Sequence, residues 1–75
     1  MEKVLEILNS IKNGIDFETE TGLVSRQILD SIDVTTLITE LESQFDIEIG
    51  MEYMDNDNFD SLSAIWEMVQ EIQEG

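Results

Sequence analysis

The sequence contains no cysteine, no histidine and no proline. Without cysteine there is no disulfide to staple a small core and no thiolate to act as nucleophile or metal ligand. Without histidine, a Ser-His-Asp triad, a histidine–metal centre and a Glu-x-x-His di-iron site are all excluded. Only three lysines and arginines face eighteen aspartates and glutamates, a formal net charge of −15. Nucleic acid and anionic membrane repel such a chain, whereas basic protein surfaces attract it, and faster at low salt. No apolar run approaches membrane-spanning length, and the N-terminus lacks the basic-then-apolar pattern of a signal peptide. The expectation is a cytoplasmic protein without membrane insertion, kept monomeric by its own charge.

What remains is a chain of 75 residues, 41% of them hydrophobic. That length leaves room for one domain, taken as residues 1–75. Acidity of this degree is compatible with disorder, but the apolar residues fall in periodic stripes, which argues for a packed core. Val4, Leu8, Ile11 and Ile15 recur at helical spacing, with Leu5 and Ile7 beside them, and predict a helix over 2–13 stopped by Asn13-Gly14. Residues 15–30 keep no period. Ile15, Phe17, Leu23 and Val24 are expected to pin this long segment to the helices, and Ser25 to cap a helical turn over 26–28. A connection of that length in a small domain is often functional.

The clearest pattern covers 31–45, where Val34, Leu37, Ile38, Leu41 and Phe45 form one stripe. At 100° per residue, Ile32, Thr36, Thr39 and Ser43 fall on the opposite, outward face, flanked by Asp33 and Glu40 on one side and Glu42 on the other. Asp46-Ile47-Glu48-Ile49-Gly50 alternates but has no strand to pair with, and is expected to be an extended loop with Ile47 and Ile49 turned inward. Residues 51–54 suggest a helical turn and 55–58 a polar turn. The latter superficially suggests a calcium loop, but Phe59 and Trp66 occupy positions where an EF-hand needs ligands, and no metal site is expected. A last helix is predicted over 61–73, with Asp60 as its N-cap and Leu62, Ile65, Val69 and Ile72 facing inward.

The stretch that organises the chain is Leu29-Asp30-Ser31-Ile32-Asp33. Asp30 is placed to cap the helix that follows, and Asp33 to reach back in the manner of a capping box. Ser31 then takes the first helical position, where free N–H groups and the positive end of the helix dipole favour a phosphate. The bland reading is a cap and nothing more, which is what Asp-Ser at a helix start usually means.

The run Leu29 to Asp33, followed by Leu37, Glu40-Leu41-Glu42, Phe45 and Asp46-Ile47-Glu48-Ile49, resembles the phosphopantetheine carrier proteins, which include acyl carrier, peptidyl carrier and D-alanyl carrier proteins. The likeness covers nearly the whole chain in order. It implies an all-α, acyl-carrier-like bundle of three major helices plus one short helix. It also implies a protein that is not an enzyme: an acyl or aminoacyl group travels as a thioester on a 4′-phosphopantetheine arm derived from coenzyme A. The matching attachment residue is Ser31. Asp60-Ser61-Leu62 repeats the Asp-Ser-apolar order, but it resembles the start of the family's last helix, where the serine is structural.

The implied partners are a phosphopantetheinyl transferase and acyl- or aminoacyl-loading and acceptor enzymes with basic surfaces, meeting Asp30, Ile32, Asp33, Thr36, Thr39 and Glu40. The neutral face after Ser31, with Glu42-Ser43-Gln44-Phe45 and Asn58-Phe59-Asp60-Ser61, looks more like D-alanyl and stand-alone peptidyl carriers than fatty-acid carriers. Two departures stand out: Gln27 lies where a glycine often precedes the Asp-Ser pair, and Gly50 replaces a proline after Ile-Glu-Ile. The competing reading is an unmodified acidic helical adaptor that binds a basic partner through Ile32.

Overall fold

The central helix, α2 (Ser31–Phe45), is fixed at both ends by its own sequence. Asp30 accepts a hydrogen bond from Asp33 N–H at 2.8 Å, and the Asp33 carboxylate accepts in return from Asp30 N–H at 3.3 Å, a reciprocal capping box. At the other end Asp46 turns left-handed (φ 53°) and returns its N–H to the Glu42 carbonyl. The structure is a computed structural model that describes residues 2–74. Around α2 stand α1 (Glu2–Ile11), two 3-10 turns (Met51–Tyr53 and Asn56–Phe59) and α3 (Leu62–Glu74). The fold is all-helical: among the described residues the one β-type contact is an isolated bridge between Thr21 and Ser61.

Each helix contributes the face its periodicity marks. Val4, Ile7 and Leu8 of α1, Leu37 and Leu41 of α2, and Ile65, Met68 and Val69 of α3 are buried together. Ile7 and Met68 lie within the core rather than at its edge, while Ile11, Val34, Ile38 and Ile72 pack half-buried around it. Phe45 and Trp66 close the end of the α2–α3 seam with ring centroids 6.2 Å apart, tilted by 52°. The radius of gyration is 11.1 Å, against about 11 Å for a folded chain of this length, so the acidic chain is packed.

The long segment between α1 and α2 belongs to the core. Phe17, Leu23 and Leu29 are all but fully buried, in keeping with the expectation that apolar residues pin it down. Two local expectations fail. The first helix ends at Ile11 rather than at residue 13, since Lys12 N–H still bonds the Leu8 carbonyl but Gly14 (φ 83°) has already turned the chain. The stretch 26–28 forms no helix. Ser25 sends its donors to Asp60, and Gln27 adopts φ 60°, the left-handed conformation a glycine would take more readily. Gly22 (φ 67°) leaves no space for a Cβ, because Arg26 lies folded against it.

The acidic alternation after α2 is extended, as its pattern suggests. Glu42 holds it, accepting from Ile49 N–H at 2.9 Å, so that Ile49 is buried and Ile47 half-buried. The predicted polar turn at 55–58 is instead the start of a second 3-10 turn. Asp55 caps it by accepting from Asn58 N–H at 3.1 Å, and Asn58 Nδ2 donates to the Tyr53 carbonyl at 3.0 Å.

One stability prediction arises here. Asp46 places a carboxylate at the negative end of the α2 dipole. Asn tolerates the left-handed conformation equally and removes that charge. Asp46→Asn is expected to gain about 0.5 kcal/mol, a rise of about 2–4 °C in Tm by thermal denaturation. An unchanged Tm would show that the terminal charge is fully screened, and a lower one that the carboxylate supports the helix end rather than opposing it.

Candidate functional site

Ser31 opens α2 and is exposed. The capping box consumes Asp33 N–H, and Val34 N–H bonds the Asp30 carbonyl at 2.9 Å. Ser31 and Ile32 N–H therefore remain without protein acceptors among the described residues, as does the Ser31 hydroxyl as a donor. The result is a free alcohol beside two free N–H groups at the positive end of a helix, an arrangement that suits a phosphate ester.

Next to it lies an open groove of about 720 Å³, lined by Val24, Gln27, Leu29, Asp30, Ser31, Val34, Thr35, Ile38, Met54 and Asn56. One wall comes from the long segment, the floor from α2 and the far wall from the chain around the first 3-10 turn. The groove continues past Met54 toward Phe59. Sequence reasoning did not find the far wall. Its one signal was a methionine placed between two acidic turns, and Met51 (89% exposed) and Met54 (44%) are indeed largely uncovered.

The outward face of α2 is less acidic than its composition suggests. Ile32 is 75% exposed, and Thr36 and Thr39 are exposed beside it. Thr35 Oγ1 donates to the Ser31 carbonyl at 2.8 Å and Thr39 Oγ1 to the Thr35 carbonyl at 3.1 Å. These hydroxyls are turned back onto the helix, which leaves methyl groups outward. The carboxylates are largely occupied. Asp30 is exposed but caps the helix, and Asp33 is half-buried, bonded to Asp30 N–H and paired with Lys12 Nζ at 3.3 Å. Glu42 holds Ile49, and half-buried Glu40 lines a small cleft with Lys3, Ser10 and Gln44. Arg26, the cation of the long segment, reaches Glu20 and the Thr21 carbonyl at 3.4 Å rather than Ser31.

Asp60 does not cap α3 as its position suggested. Its carboxylate faces the long segment, accepting from Val24 N–H and Ser25 N–H at 2.9 Å each and from the Ser25 hydroxyl at 2.6 Å. The Ser25 hydroxyl is the main reason its pKa lies below the ordinary aspartate value, with the two N–H bonds adding to it against some desolvation. The carboxylate is thus ionised at neutral pH. Ser61, one residue later, is the cap, accepting from Ala64 N–H at 3.0 Å. The second Asp-Ser pair is therefore built differently from the first: its serine oxygen is engaged and half-buried.

Residues 2–69 match the family model described as "Phosphopantetheine attachment site". The chain belongs to the phosphopantetheine carrier family. It is 32% identical over 72 residues to the D-alanyl carrier protein of Lactococcus lactis subsp. cremoris (strain MG1363), covering 93% of this chain and 91% of that one. It is 31% identical over the same length to the D-alanyl carrier protein of Lactococcus lactis subsp. lactis (strain IL1403), with the same coverage. No solved structure matches. The carrier's prosthetic group is accordingly 4′-phosphopantetheine, covalently attached and drawn from coenzyme A. The donor set at the start of α2 fits a phosphodiester there: an unengaged hydroxyl and two unengaged N–H groups at the positive end of the helix. Among the described residues no helix is long and apolar enough to cross a membrane.

Proposed function

We propose that Ser31 Oγ is the attachment point of the 4′-phosphopantetheine arm, and that the carrier presents an aminoacyl group, D-alanyl in the first instance, to the enzymes that load and use it. When bound, the arm supplies the thiol that the chain lacks and holds the cargo as a thioester. The observation that carries the reading is the free, exposed Ser31 hydroxyl at the capped head of α2, beside an open groove, in a chain of this family. The D-alanyl carrier relatives and the neutral α2 face favour an aminoacyl cargo.

The residues divide the work simply. Asp30 and Asp33 fix the helix start and so the direction of Ser31, each through one oxygen of its carboxylate. The net charge of −15 steers basic enzymes toward the carrier, but contact at α2 is made by Ile32 and threonine methyls. A small interface of this kind releases readily, as a shuttle requires.

The test is to incubate the protein with coenzyme A and a broad-specificity phosphopantetheinyl transferase and map the added mass by peptide fragmentation. Label confined to Ser31 supports the reading, and label elsewhere or none defeats it. Ile32→Asp is expected to lower kcat/KM for that transfer about tenfold while shifting Tm by no more than about 2 °C, because the side chain is exposed. Unchanged transfer kinetics would remove Ile32 from the docking surface. Cargo is tested by offering D-alanine with an adenylating enzyme and comparing thioester formation with that from fatty acyl donors.

A further inference from the structure

Ser31 is framed by two pieces of chain that neither helix propensity nor local pairing holds together. The near wall of the groove is Val24 and Leu29, and the far wall is Met54 and Asn56. The near wall belongs to an irregular segment whose turns are closed mainly by its own short-range bonds, such as Leu29 N–H to the Leu23 carbonyl at 2.8 Å. The far wall leads into the 3-10 turn that starts at Asn56 and is ended by Asp60.

Asp60 joins the two. Leu23 N–H donates to its carbonyl at 2.8 Å, and Val24 N–H, Ser25 N–H and the Ser25 hydroxyl all donate to its carboxylate. Three consecutive residues of the segment that carries the near wall, Val24 among them, are therefore bonded to the single residue that closes the far wall's turn, and the Thr21–Ser61 bridge extends the same seam. Hydrogen bonds to an ionised acceptor are about twice as strong as neutral ones. Helix capping does not account for the arrangement, because Ser61 performs it.

We propose that Asp60 is a positioning residue for modification of Ser31: its carboxylate latches residues 21–29 against residues 54–60 and so sets the width of the groove beside the serine without touching it. The proposal rests on Ser31 as the attachment point. Loss of the latch leaves the core helices and buried Leu29 in place but frees Val24 and Ser25, the residues its carboxylate holds, which blurs the surface a transferase must fit. A wall displaced by an ångström far from the reacting oxygen costs as much as a lost contact.

The test compares wild type, Asp60→Ala, Asp60→Asn, Ser25→Ala and Ser61→Ala, each as the apo protein. Two quantities are read: amide hydrogen exchange at residues 23–25, and the kinetics of phosphopantetheine transfer from coenzyme A. In Asp60→Ala, exchange at Val24 and Ser25, whose acceptor is removed, is expected to accelerate far more than exchange within α2. Transfer is expected to fall about tenfold in kcat/KM, chiefly through KM. Asp60→Asn keeps an acceptor for Val24 and Ser25 N–H and is expected to recover most of the rate. Ser25→Ala removes one exposed hydroxyl bond, folds regardless, and is expected to slow transfer about two- to threefold. Ser61→Ala loses a cap but keeps the latch, and is expected to be modified at the wild-type rate.

Asp60→Ala and Ser25→Ala modified as fast as wild type would overturn the latch. Ser61→Ala slowed as much as Asp60→Ala would overturn it too, since general destabilisation would then explain both. A wild-type chain that takes no label at Ser31 overturns the attachment reading and this role with it, while the exchange at residues 23–25 still reports whether Asp60 holds the segment.

Discussion

The Ser31→Ala variant, given coenzyme A and a phosphopantetheinyl transferase, is expected to gain no mass, whereas wild type and Ser61→Ala each gain one phosphopantetheinyl group. The comparison is sharp because the chain contains the Asp-Ser-apolar order twice. Asp30-Ser31-Ile32 and Asp60-Ser61-Leu62 both start a helix, but the division of labour is reversed. In the first pair the aspartate caps and the serine is left free and exposed. In the second the serine caps and the aspartate is turned away to the long segment. Modification of Ser61 would require breaking its bond to Ala64 N–H and uncapping α3.

The stabilities should move in the opposite sense to the labelling. Ser61→Ala is expected to lose about 1 kcal/mol, the usual value of an N-cap, and Ser31→Ala to stay within about 0.5 kcal/mol of wild type, as a surface position does. Intact-mass measurement and urea denaturation on the same three proteins read both effects. A label on Ser61, or its persistence in Ser31→Ala, would reverse the assignment.

How much of this was legible in the sequence depended on the range of the interactions. The bounds of α2 were readable to the residue, because its stripe and its capping box are written within a few positions of one another; the left-handed turn at Asp46 that ends it was not among the signals. The buried faces of all three helices were readable for the same reason. Ser25 and Asp60 were misread together: each looked like the cap of the helix beside it, and each is instead the other's partner across 35 residues. Local pattern has no means of showing such a pair. Asp33 flanks the outward face on the helical wheel, and the end of α1 adds to it a partner that local pattern does not show, Lys12. Gln27, where the family often has a glycine, itself stands in the left-handed conformation that glycine adopts more readily.

Phe17→Ala is expected to have the largest effect on stability of any substitution outside the helices. Phe17 lies in the irregular segment between α1 and α2, yet it is 1% exposed and among the largest fully buried side chains. Truncating a buried phenylalanine costs about 3–5 kcal/mol. A domain of this size has roughly 4–11 kcal/mol in total, and this chain has no disulfide to limit the loss. The variant should therefore unfold at a much lower urea concentration and populate unfolded chains at 37 °C. Ile32→Ala, by contrast, should match wild type, since its side chain already meets water. If Phe17→Ala proved within about 1 kcal/mol of wild type, the segment would be a surface strap over a core complete without it. The expected collapse has a functional corollary. The segment that Phe17 anchors continues into Leu23, Val24 and Leu29, so the wall beside Ser31 is carried by the hydrophobic core itself. Conditions that restore the fold of Phe17→Ala, such as added salt that screens the excess of carboxylates, should then restore phosphopantetheine transfer in parallel, with the two recoveries following one curve.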